Sequence, residues 1–344
     1  MSAPRLAEAA APARRKPRYL LHVGLFLATF LTTTAAGALY VHGASIRPIA
    51  DGLPYSVPLL LILVCHEFGH YFAARAHGVE ASLPFFIPLP PGFGLGTMGA
   101  VIGMRNVTSD RRKLIDIGAA GPLCGLIVAI PVILYGLSLS KVAPAVPHSI
   151  QEGNSLLYAS LKFISKGMWL PGHDKDVFMH PTAWAGWAGL LVTMINLLPI
   201  GQLDGGHIAT AYFGNRYRKF AAVLHRLLPL MAVGTFVWVY LTVRAEAGAH
   251  WDWMEGVEIS FGGALPWVIW FLIVGGVGRL AGGGDHPPVD DKPLPRSRRV
   301  LFWVVVVAFV AIFMPVPYRE TLAGSDSAAP PAASVAPDPP PAAP

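Results

Sequence analysis

The chain has 344 residues, of which 53% are apolar and only 13% charged, with a net charge of +6 and a mean hydropathy of +0.51. A soluble domain carries about 25% charged residues, so this composition excludes an ordinary water-covered globule and points to a polytopic membrane protein. The positive charge follows membrane orientation, and nucleic-acid binding is not needed to explain it.

Residues 1–18, with Arg5, Arg14, Arg15, Lys16 and Arg18, form a basic segment that places the N-terminus in the cytoplasm. The first apolar window, Tyr19–Gly43, is too long for a signal-peptide core and is read as a retained span. Further windows are Leu53–Ala74, Ile117–Ser140, Ala183–Leu203, Phe220–Val243 and Ile259–Gly278, with a shorter one at Val300–Tyr318. The expected fold is therefore all-α, with about seven transmembrane helices. Basic clusters at Arg105–Lys113, Arg216–Lys219 and Arg279–Arg299 fall on the N-terminal side if the chain crosses seven times. The acidic loop Glu246–Glu258 and the C-terminal tail then fall on the other side. Between Lys141 and Pro181 lies a non-cytoplasmic loop in which Ile150–Gly167 reads as an interfacial helix. Residues 319–344, rich in alanine and proline, read as a disordered tail.

The second window carries the chemistry. From Leu53 to Ala74 the only formally charged group is Glu67, within His66-Glu67-Phe68-Gly69-His70. On a helix the two histidines lie one turn apart on one face, where both imidazoles can bind one metal ion. Glu67 projects beside that face, where a carboxylate can take a proton from water. Ionisable groups at membrane depth are costly and mark function. Hydrolysis within or at the edge of a bilayer is the reading that unites them.

Two histidines leave a catalytic zinc short of its usual three protein ligands. The best candidate for the third is Asp204, in Asn196-Leu-Leu-Pro199-Ile-Gly201-Gln-Leu-Asp204-Gly205-Gly206-His207. Pro199 interrupts the fourth window, and the glycines beside Asp204 free the backbone to approach another element. His207 suits a supporting role better than a fourth ligand, because a catalytic zinc needs an open position. Cys65 and Cys124 read as small buried apolar residues.

These two motifs, in this order and across roughly Leu53 to Phe213, resemble the site-2 protease family of intramembrane zinc metalloproteases. The resemblance implies one Zn2+ per chain held by His66, His70 and Asp204, with Glu67 as general base. It also implies that Asn196 contacts the substrate backbone or transition state, and that Pro84–Met104 forms a membrane-associated β-hairpin near the active site. Gly121-Pro122-Leu123-Cys124-Gly125 is similar to a family pattern that ends in Asn, Ser or Gly. The implied organisation is a metalloprotease core over 19–215, additional helices over 216–318 and a tail beyond. The implied substrate is a transmembrane protein, cut in the lipid bilayer, with the active site nearer the cytoplasmic side of a bacterial inner membrane. Two rivals are an inactive homologue that binds membrane proteins and a metal transporter. A transporter should distribute polar groups along its spans, whereas here they concentrate at one depth. Nothing in the sequence fixes an oligomeric state.

Overall fold

The computed structural model describes residues 18–43, 48–92, 94–104, 108–144, 149–172, 175–248, 251–280 and 288–322. The expected basic leader, up to residue 17, and the Ala/Pro-rich tail beyond residue 322 lie outside the described residues.

The first two helices are α1 (Tyr19–His42) and α2 (Leu53–Ala76), joined through a short 3-10 turn. Pro54 sits in the first turn of α2, where a missing amide hydrogen is harmless. A two-stranded antiparallel hairpin follows, β1 (Phe85–Pro88) with β2 (Thr97–Val101), in the region where one was expected. Helix α3 (Arg111–Leu139) is capped by Asp110, whose carboxylate accepts from the Arg112 amide at 2.9 Å.

The segment between α3 and the next long helix holds more structure than expected. It contains β3 (Lys141–Pro144), β4 (Ile150–Glu152), α4 (Leu156–Lys166) and β5 (Lys175–Phe178). Strand β3 pairs with β5, so the chain departs from purely helical architecture at this end. Ser155 caps α4 and Gly167 ends it in the left-handed conformation, which trims the expected interfacial helix to its second half.

Beyond it run α5 (Pro181–Asn196), α6 (Asp204–Phe213), α7 (Tyr217–Ala247), α8 (Trp253–Leu280) and α9 (Arg296–Ile312), then β6 (Tyr318–Glu320). Strand β6 pairs antiparallel with β4.

Among the described residues, five helices are long and apolar enough to cross a membrane. They are α1, α2 with its preceding turn, α3, α7 and α8. The count falls short of the seven expected because α5 has 16 residues and α9 has 17. At 1.5 Å per residue these rise roughly 24–26 Å, less than the ~30 Å hydrocarbon core. The fourth window overshot because Leu197, Leu198 and Ile200 are buried and apolar without being helical.

Cross-chain bonds nevertheless sort the helix termini into two ends. At one end the Arg111 guanidinium donates to the carbonyls of Ala211 (2.6 Å), Tyr212 (2.5 Å) and Lys292 (3.2 Å). Nearby, Arg298 grips Asp116 with a closest contact of 2.7 Å, and Asp116 also meets His77 at 3.1 Å. At the other end Thr182 donates to the Pro54 carbonyl, Tyr40 to that of Met179, and Arg319 pairs with Glu246. Both α5 and α9 run between these ends like the longer helices. Helix α5 is the centre of the bundle: Ala183, Ala185, Trp187, Ala188 and Leu190 are each at most 1% exposed.

Candidate metal centre

Helix α2 packs on α3 in opposite directions, which sets His70 beside Gly121 and His66 beside Gly125. Each pair is spaced by four residues on its own helix, so the imidazoles and the glycines fall in register. At Gly121 an added Cβ would lie 2.0 Å from His70 Nε2, and at Gly125 one would lie 3.1 Å from His66 Nδ1. The glycine pattern of the third window thus has a physical role: it is the space that the two rings occupy. No residue type carries that signal by itself; the matching spacing on two windows does.

Asp204 arrives from the far side of the sequence. Helix α5 ends at Asn196, and the chain turns through 197–203 before α6 begins at Asp204. Gly201 takes a positive φ of 56° within that turn. Gly205 lies so close to it that a Cβ would fall 2.1 Å from the Leu197 carbonyl oxygen. The Tyr217 hydroxyl donates to the carbonyl of Pro199 and ties the turn to α7.

The result brings together three of the expected ligands. Asp204 Oδ2 lies 3.1 Å from His66 Nε2 and 3.2 Å from His70 Nε2. One ligand atom from each residue falls within 4.8 Å of the others. His66 and His70 are 2% and 5% exposed, and Glu67 is 5% exposed.

Hydrogen bonding decides what this cluster wants. His70 Nδ1 lies 2.7 Å from the Ile117 carbonyl oxygen, which can only accept, so Nδ1 carries the proton. A neutral His70 then turns an unprotonated Nε2 towards a carboxylate oxygen. Such a contact is satisfied either by a second proton on His70 or by a metal ion held between the two groups. Two imidazoles and a carboxylate are a usual donor set for catalytic zinc, with bonds of about 2.0–2.2 Å. The edges of a tetrahedron with such bonds are roughly 3.3 Å, close to both observed separations. The residues present therefore fit zinc, with the Ile117 carbonyl fixing one ring in the ligating tautomer.

Glu67, Asn196 and His207 line a cavity of about 130 Å³ together with His70 and Asp204. At ~30 Å³ per water, that is room for about four. Asn196 Nδ2 is 3.5 Å from His66 Nε2. Ala100 and Val101 of β2 also line the cavity, where the hairpin was expected. Gln202, exposed in the turn before Asp204, lines it too and was not singled out from sequence, since glutamine in a loop gives no sequence signal.

A profile of Peptidase family M50 matches residues 54–234. The chain is 32% identical over 275 residues to the probable zinc metalloprotease EGY1, chloroplastic, of Arabidopsis thaliana, covering 78% of this chain and 44% of that protein. It is 34% identical over 191 residues to the Oryza sativa subsp. japonica protein of the same name, covering 54% of this chain and 32% of that one. To the probable zinc metalloprotease EGY2, chloroplastic, of Arabidopsis thaliana it is 30% identical over 207 residues, covering 58% and 36%. The chain spans less than half the length of these curated relatives. The match extends from the start of α2 into α7 and so includes the His66–His70 pair, both glycines of α3 and Asp204: the chain belongs to peptidase family M50.

Proposed function

We propose that this chain is an intramembrane zinc endopeptidase that hydrolyses peptide bonds within or near transmembrane segments of membrane proteins. The observation that carries the reading is the convergence of one ligand atom each from His66, His70 and Asp204, with Glu67 on the same small cavity. His66, Glu67 and His70 sit in α2, and the glycines that admit the two rings sit in α3, both helices apolar and long enough to lie in a bilayer.

His66, His70 and Asp204 would hold the metal. Zinc, when bound there, supplies Lewis-acid polarisation of water and of the scissile carbonyl. Glu67 takes a proton from the attacking water and returns it to the departing amine. Its burial keeps bulk water from competing for that proton. The Asn196 amide lies beside His66 and can donate to the substrate carbonyl. A substrate helix must unwind before attack, since its own hydrogen bonds shield the peptide. Strand β2 lines the cavity and, among the described residues, pairs only with β1, so its second edge is available to an extended substrate.

The core of this enzyme is 19–215, with 216–318 as additional helices. All seven long helices cross, and the end holding Arg111 and Arg298 is cytoplasmic by the charge rule. The site then opens nearer that side. The substrate is a single-span membrane protein, and composition favours a bacterial inner membrane. The relatives are named as chloroplastic, and the bacterial assignment rests on composition.

Zinc content of the detergent-purified chain tests the site. One zinc per wild-type chain, lost on Asp204→Ala, joins the two motifs; absence from wild type refutes the metal site. Glu67→Gln should keep the zinc and lower cleavage of single-span substrates in liposomes by about 10²–10⁴-fold. A Glu67→Gln chain that still cleaves would remove Glu67 from the reaction, and one that loses zinc would make it a ligand.

A further inference from the structure

A second, larger cavity of about 690 Å³ opens at the opposite end of the bundle from the basic clusters. One wall is a stripe of α7 running from Leu230 through Gly234 and Trp238 to Thr242. The other end is polar and includes Asn154, Glu246 and Arg319, beside the β4–β6 pair. An added side chain at Gly234 would meet nothing within 4 Å, so the cleft is open there.

We infer that this cleft binds one phospholipid with a zwitterionic headgroup bearing a primary ammonium. Depth favours an acyl chain: the twelve helical steps from Leu230 to Thr242 rise ~18 Å, close to the ~15 Å of one hydrocarbon leaflet. The polar groups sit at the end where a headgroup would lie.

Charge selects the headgroup. Arg319 offers a guanidinium suited to phosphate and is held by Glu246 at 2.9 Å and Gln151 at 2.8 Å. Deeper in, Lys162 meets Glu152 at 3.2 Å and Asp176 at 3.7 Å. On the lining itself, one cation, Arg319, stands with two carboxylates, Glu152 and Glu246, which disfavours a headgroup that is only anionic. The Glu246 side chain is 45% exposed at the polar end of the cleft, an acceptor that a primary ammonium satisfies and a trimethylated one cannot hydrogen-bond.

The test quantifies phospholipid retained by the full chain after delipidation and reconstitution in nanodiscs of phosphatidylethanolamine, phosphatidylcholine or phosphatidylglycerol. The expected result is about one ethanolamine lipid per chain, with retention of the other two lower by about tenfold. Gly234→Phe should fill the cleft and abolish retention without lowering the melting temperature in lipid-free detergent. Arg319→Gln should weaken retention and level the preference between headgroups. Equal retention of all three lipids, or retention unchanged by Gly234→Phe, overturns the assignment. So does photocrosslinking from Trp238 that captures a polypeptide instead of lipid.

Discussion

Replacing Gly121 by alanine should damage metal binding without touching a ligand. The added Cβ would sit 2.0 Å from His70 Nε2, 2.3 Å from Cδ2 and 2.5 Å from Cε1, against ordinary contacts of 3.4 Å or more. The ring must therefore retreat by roughly 1.4 Å. It cannot do so freely, because Nδ1 is bonded to the Ile117 carbonyl at 2.7 Å. Overpacking costs about 1–3 kcal/mol and the lost hydrogen bond about 0.5–1.5 kcal/mol. At 1.4 kcal/mol per decade, zinc affinity should fall by about tenfold to a thousandfold. A competition titration against a chelating dye, on protein in detergent, reads this directly. Gly125→Ala is the control: its 3.1 Å contact with His66 Nδ1 needs a shift of only a few tenths of an ångström, so affinity should change by less than about tenfold. Wild-type affinity in a folded Gly121→Ala chain would refute ligation through His70 Nε2.

Away from the metal centre, Lys162→Met should destabilise the chain by about 3–5 kcal/mol, seen as a lowered melting temperature. Burial already pushes the Glu152 carboxyl upwards and Lys162 opposes that push, so the variant strands Glu152 without its cation. A change below about 1 kcal/mol would mean that water reaches this pair. Gly205→Ala should lose both zinc and thermal stability, since its Cβ would meet the backbone carbonyl of Leu197 at 2.1 Å, where no flexible side chain can yield. Wild-type zinc content in that variant would show that the turn before α6 does not position Asp204.

The meeting of His66, His70 and Asp204 was legible in the sequence because its signals are local in kind if not in position. Charges that are costly in lipid announce themselves, and the spacing of His66 and His70 fixes one face of one helix. Asp204 was legible for a related reason: Pro199 and the paired glycines break an apolar run at the one place where a carboxylate follows. Less legible was the extent of that run, because Leu197, Leu198 and Ile200 are as apolar in a turn as in a helix. The strands β3 to β6 escaped because their pairing is long-range; nothing within Ile150–Glu152 points to Tyr318–Glu320. The roles of Ile117 and Gln202 also depend on the meeting of separate helices. A backbone carbonyl in particular leaves no trace in residue type.

The fastening of α9 bears on how the protein is made. Arg298 at its start grips Asp116 on α3, and β6 beyond its end pairs with β4. Between them the Met314 amide meets Met194 Sδ on α5 at 3.1 Å. Every group that positions the metal ligands has left the ribosome before α9 is translated. The nascent chain therefore acquires its reactive centre first and its outer brace last. Until that brace is inserted, α5 already has α2 and α3 packed on it, and only the stretch around Met194 lacks its cover.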